Sequence, residues 1–116
     1  MTTKRIVTGA HYGLRDWLAQ RITAVALVLY TLYLLFAVLT TPELGYESWY
    51  RLFLSPFMRV ATLLAMLALI HHAWVGMRDV LMDYVKPTWM RLSLEILTFA
   101  LLAGYACWTV IILWRL

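Results

Sequence analysis

The residues best suited to chemistry lie in one apolar stretch, LALIHHAWVGMRDVLMDYVKP, at positions 67–87. Two adjacent histidines, His71 and His72, stand in its middle, and an acid–phenol pair, Asp83 and Tyr84, stands near its end. An imidazole can bind a metal, and a phenol hydroxyl can donate a hydrogen bond to a carbonyl oxygen. Ionisable groups are costly inside a membrane, so each one there is a functional candidate. The stretch therefore combines a metal-ligand candidate with a hydrogen-bond donor.

The two histidines occupy different faces of the predicted helix, because successive residues point about 100° apart. The face of His72 carries small residues followed by carboxylates, namely Ala65, Ala68, Gly76, Asp79 and Asp83. The face of His71 carries larger side chains, namely Leu64, Leu67, Val75 and Arg78. The two imidazoles cannot bind the same iron, and the small residues leave more room for a flat cofactor such as haem beside His72. A six-coordinate haem would then need its second ligand from another chain.

Each of these residues also has a structural interpretation. His72 could form a hydrogen bond across a helix bundle, and Gly76 could mark a close helix–helix contact. Tyr84 suits a membrane interface, and an acid such as Asp83 near a helix end is often simply solvated. The residue types and spacing leave these alternatives open.

Composition predicts a membrane protein. The chain has 116 residues, of which 64% are hydrophobic and 14% charged, with a mean hydropathy of +0.77. Soluble domains are usually about 45–50% apolar and about 25% charged. The single cysteine, Cys107, allows no intrachain disulfide, and the basic residues lie between apolar segments rather than along one face, which argues against nucleic acid as a partner.

Three segments are long and apolar enough to cross a bilayer, which takes about 20 residues. We predict spans at about 18–40, 58–84 and 91–114, and therefore an all-α integral membrane protein with one three-helix domain over residues 1–116. Between the first two spans, YESWYRLFLSPFMRV predicts a short amphipathic segment on the outer surface.

The basic residues predict the orientation. Seven lie on the side of the amino terminus and the second connection, namely Lys4, Arg5, Arg15, Arg21, Arg78, Lys86 and Arg91. Three lie on the other side, namely Arg51, Arg59 and Arg115. By the positive-inside rule the amino terminus is cytoplasmic and the carboxyl terminus periplasmic. Asp16 and Arg21 then lie at the cytoplasmic end of the first span, where Arg21 could meet a haem propionate, a carboxylate of a quinone pocket or a lipid phosphate.

The segment HAWVGMRDVLMDYVKP, at positions 72–87, resembles the His-Ala-Trp-x-Gly-Met … Asp-Tyr-Val-Lys-Pro signature of the smaller membrane-anchor subunit of bacterial succinate dehydrogenase. RDWLAQRITAVALVLYTLY is similar to the first helix of that family, and TTPELGYESWYRLF is similar to its outer loop. The resemblance covers nearly the whole chain.

The resemblance implies a multi-pass subunit of the bacterial inner membrane that pairs with a second three-helix anchor. The two anchors would share a b-type haem and dock an iron–sulfur subunit and a flavoprotein subunit, which alone would hold the iron–sulfur clusters and FAD. Ubiquinone would be reduced near the cytoplasmic face. His72 would be the axial haem ligand, Tyr84 a hydrogen-bond partner of ubiquinone, and Asp83 an acid of the quinone pocket. Arg21 and Asp16 match positions of the first helix in that family.

The doubled histidine departs from the family pattern and makes His71 an alternative ligand. The family ligand precedes Ala-Trp, which selects His72, as does the small-residue face. Two further functions stay open, a quinone-linked anchor of the fumarate reductase type and a structural bundle with no redox role. The chain by itself has no dinucleotide-binding fingerprint, so any activity belongs to an assembly.

Overall fold

The computed structural model describes the backbone from Ala10 to Leu116 and the side chains from Gly13 onward. This part of the chain forms four helices and no strands: α1 Ala10–Leu39, α2 Tyr46–Leu54, α3 Pro56–Tyr84 and α4 Thr88–Arg115. Residues 13–39 of α1 and the whole of α3 and α4 are long and apolar enough to cross a membrane. The predicted all-α fold with three spanning helices is therefore confirmed. Lys4 and Arg5, used to predict orientation, lie outside the described residues.

Prolines set the boundaries of α3. The predicted amphipathic segment is divided, because α2 ends at Leu54 and α3 begins at Pro56. Ser55 between them is extended, with ψ 129°, because a residue before proline disfavours the helical conformation. Proline itself is favoured in the first turn of a helix. At the other end Val85 donates its N–H to the carbonyl of Leu81 at 3.0 Å, and Pro87 separates α3 from α4.

α3 is the central helix and packs against α1, α4 and α2. Four of the five buried apolar residues in the described chain belong to it, namely Met58, Ala65, Val75 and Leu81. At most 11% of the most apolar stretch of any spanning helix is buried within the chain. So much exposed apolar surface requires lipid or other membrane subunits to cover it.

α2 is held against the start of α3, at the end of the bundle opposite Tyr84. Arg59 donates its Nε–H to the carbonyl of Phe53 at 3.1 Å. The ring of Phe57 packs edge-on against Tyr33 of α1, with 5.6 Å between the ring centroids. These contacts tie the short helix and the first two spans together at this end.

Candidate functional site

Polar contacts fix how α1 and α3 pair. They come from one face of α1, at seven-residue intervals, and join Asp16 to Arg78, Thr23 to His72, and Tyr30 to Thr62. The α1 positions rise as the α3 positions fall, so the two helices are antiparallel. This register places the Asp16–Arg78 ion pair at the same end of the bundle as Tyr84, and His72 well inside the span.

The His72 ring is held by α1. Its Nδ1 lies 3.0 Å from the hydroxyl oxygen of Thr23, and that hydroxyl lies 2.7 Å from the carbonyl oxygen of Ala19. A hydroxyl has one proton to donate, and the shorter contact assigns that proton to the Ala19 carbonyl. The Thr23 oxygen then accepts a hydrogen bond from Nδ1–H, so Nε2 keeps its lone pair. This arrangement provides both the cross-bundle bond expected of a structural histidine and a nitrogen able to bind iron.

Gly76 lies where α1 and α3 approach each other. A Cβ at Gly76 would meet Nε2 of Gln20 at 3.7 Å, an ordinary van der Waals distance. Gly76 therefore lies in the contact between α1 and α3, which is the structural role considered for it in the sequence analysis.

Oε1 of Gln20 is buried without a hydrogen-bond partner, the only such side-chain atom among the described residues. Buried polar atoms are nearly always paired, so a donor from water, a cofactor or another subunit fits here.

His71 faces a different part of the molecule. It lines a cleft of about 320 Å³ between α3 and α4. In that cleft Trp74 and Phe99 pack edge-to-face, with 5.9 Å between the ring centroids. The described residues offer His71 no hydrogen-bond partner. The two imidazoles are thus separated as the helical spacing predicts, with only His72 oriented by a second side chain.

Asp83 and Tyr84 are the last two residues of α3, and both are exposed. Tyr84 is 79% exposed, and the part of the chain that the structure describes gives neither side chain a hydrogen bond or ion pair. The phenol hydroxyl and the carboxylate are therefore available to a ligand or to another subunit.

Asp16 and Arg21 do not form one site. Asp16 pairs with Arg78 of α3 in a half-buried position. Arg21 instead lies over the ring of Trp17, with its Cζ 5.3 Å from the ring centroid. From the sequence, Arg78 was used only to predict the orientation of the chain in the membrane. No role was predicted for Thr23 or Gln20. The seven-residue interval that links Asp16 to Thr23 is the signal that would have placed both on the face toward α3.

The Asp16–Arg78 pair should contribute to the α1–α3 contact. Asp16→Asn or Arg78→Gln leaves one charge unpaired in a half-buried position, whereas the double variant leaves none. We expect each single variant to lower the Tm of the purified assembly and the double variant to recover part of the loss, with a coupling of about 1 kcal/mol. Arg51→Gln, which breaks an exposed pair with Glu47, should leave the Tm unchanged. Strictly additive effects of the two single changes would show that the pair contributes nothing.

The spanning helices and their exposed apolar surface define a multi-pass membrane protein. The chain belongs to the succinate dehydrogenase/fumarate reductase transmembrane subunit family, whose model matches residues 1–113.

Relatives within this family resemble the chain over most of its length. The succinate dehydrogenase hydrophobic membrane anchor subunit of Coxiella burnetii (strain RSA 493 / Nine Mile phase I) is 38% identical over 102 residues, which cover 88% of this chain and 89% of that protein. The subunit of the same name in Rickettsia felis (strain ATCC VR-1525 / URRWXCal2) is 32% identical over 94 residues, covering 79% of this chain and 77% of the relative. The predicted resemblance to a succinate dehydrogenase anchor is confirmed.

Proposed function

We propose that the chain anchors a succinate dehydrogenase in the bacterial inner membrane, with its amino terminus in the cytoplasm. It would pair with a second three-helix anchor and hold the iron–sulfur and flavoprotein subunits at the cytoplasmic face. The observation that supports this most strongly is the imidazole of His72, which is oriented by Thr23 inside the span and leaves Nε2 free. With family membership, this favours a redox anchor over a purely structural bundle.

The residues of this chain fit one side of a b-type haem. The described residues contain no group of three or more His, Cys, Asp or Glu side chains that could hold a metal ion. A haem would bring its own porphyrin nitrogens to the iron, so a single imidazole from this chain, with a further ligand from another chain, would be enough to hold it. His72 would hold the iron through Nε2, and the bound haem would supply a one-electron redox centre. Arg21 keeps guanidinium donors exposed for a haem propionate, the quinone pocket or a lipid phosphate.

The exposed end of α3 fits one wall of a ubiquinone site. Tyr84 can donate its phenol proton in a hydrogen bond to a quinone carbonyl. Reduction of a quinone to a quinol takes up two electrons and two protons. Electrons from succinate would arrive through the flavin and iron–sulfur clusters of the partner subunits. Asp83 is exposed beside Tyr84 and can exchange protons with cytoplasmic water.

Replacing Tyr84 with phenylalanine tests this function. Loss of one hydrogen bond of about 1–1.5 kcal/mol should lower the rate of succinate-driven ubiquinone reduction about tenfold. Succinate oxidation by an artificial soluble acceptor should stay normal, because that reaction does not use the membrane site. Steady-state rates of the purified complex with both acceptors provide the measurement.

Tyr46→Phe is the matched control, since Tyr46 is 80% exposed and lies at the opposite end of the bundle. It should leave both rates unchanged. A normal ubiquinone reductase rate in Tyr84→Phe would remove Tyr84 from the quinone site and favour a structural role for this end of α3.

A further inference from the structure

Thr23 combines a hydrogen bond to the backbone of its own helix with a contact to a side chain of another helix. Thr31, Thr98 and Thr109 each donate their hydroxyl proton to the carbonyl four residues earlier, a common arrangement in helices. Thr23 makes the same bond to Ala19 and in addition meets Nδ1 of His72. Its oxygen therefore joins the backbone of α1 to the imidazole of α3.

We propose that Thr23 is a positioning residue that fixes the tautomer and ring orientation of His72 for binding haem iron. The inference rests on the proposed role of His72 as haem ligand. Because the Thr23 proton is directed at the Ala19 carbonyl, the hydroxyl oxygen is an acceptor and holds the imidazole proton on Nδ1. Nε2 is then the unprotonated nitrogen, which is the form that binds a metal.

The same bond tunes the electronics of the ligand. A hydrogen bond from Nδ1–H to an acceptor shifts electron density toward Nε2 and makes it a better donor to the metal. A stronger donor stabilises ferric over ferrous iron, so the Thr23 hydroxyl would lower the midpoint potential of a haem bound at His72. The backbone carbonyl of Ala19 strengthens this effect, because hydrogen bonds in a chain polarise one another.

The test compares Thr23→Val with Thr23→Ser in the purified complex. Valine keeps the branched shape but removes the hydroxyl. The midpoint potential of the haem should therefore rise, and its low-spin EPR g-values should shift. The affinity of the complex for haem should fall about 10–100-fold. Serine keeps the hydroxyl and should restore all three properties. If valine prevents assembly, Thr23→Ala removes the hydroxyl without adding bulk and is read in the same way.

Thr31→Val is the matched control, because it removes an exposed hydroxyl of α1 whose hydrogen bond goes to the carbonyl of Leu27. It should leave the haem as in the wild type. An unchanged potential and EPR spectrum in Thr23→Val, or equal damage from serine and valine, would overturn the positioning role. Failure of the haem-ligand proposal itself would appear separately, as haem retained in full after His72→Ala.

Discussion

A complex that carries His72→Ala should lose most of its haem, with haem content falling at least about tenfold relative to flavin, whereas His71→Ala should retain it. Alanine removes the nitrogen that the Thr23 contact leaves free, and no nearby residue of the same face can replace it. The measurement is the ratio of haem to flavin in the purified complex, with the reduced-minus-oxidised optical spectrum as a second readout.

His71→Ala is the natural control because it deletes the same side chain one position away. His71 opens onto the cleft between α3 and α4, and no hydrogen bond from a described residue orients its ring. Its removal should leave the α1–α3 contact and the His72 ring in place. Loss of haem in His71→Ala alone would move the ligand by one residue and assign His72 to helix packing.

Gly76→Leu should disrupt the site by a different route. The Cβ of an alanine would lie 3.7 Å from Nε2 of Gln20 and fits, but the further carbons of leucine would push into Gln20 and separate α1 from α3. Such overpacking costs about 1–3 kcal/mol and would also lengthen the Thr23–His72 bond. We expect Gly76→Leu to reduce assembly and haem content, and Gly76→Ala to be close to wild type in both.

Gly104→Leu controls for adding bulk to a spanning helix, because a Cβ at Gly104 meets nothing within 4 Å in this chain. Yield of the intact complex after size-exclusion chromatography and its haem-to-flavin ratio provide the measurement. Normal assembly with a normal haem spectrum in Gly76→Leu would contradict the packing role of this glycine.

The spanning helices were predictable because length and hydropathy act locally. A run of about 20 apolar residues has few alternatives in a membrane, and prolines end helices by steric effects within one or two residues. The same steric effect of proline explains why the helix is interrupted at Ser55, immediately before Pro56 begins α3. The amphipathic segment was predicted as one unit because its apolar pattern continues across that proline.

The partners of individual side chains were not predictable, because they depend on the register between helices far apart in the sequence. Thr23 and His72 are 49 residues apart, and Asp16 and Arg78 are 62 residues apart. Residues separated by such distances in the sequence produce no repeating pattern within a single helix that would identify them as partners. Charge counting identified Arg78 as an orientation residue and could not reveal that it pairs across to α1.

The small-residue face of His72 had two possible roles when only the sequence was considered. Small residues were expected either to leave room for a flat cofactor or to allow close helix contact. At Gly76 the neighbour is Gln20 of α1, so the contact with α1 accounts for that position. The family signature and the bond from Thr23 therefore support His72 as ligand more strongly than the space beside it does.

The most direct test of haem ligation by this chain is low-temperature EPR of the oxidised, purified complex in wild-type, His72→Ala and His71→Ala forms, each normalised to flavin. We expect wild type and His71→Ala to share a low-spin haem signal that His72→Ala lacks. A low-spin signal unchanged by His72→Ala would contradict this expectation.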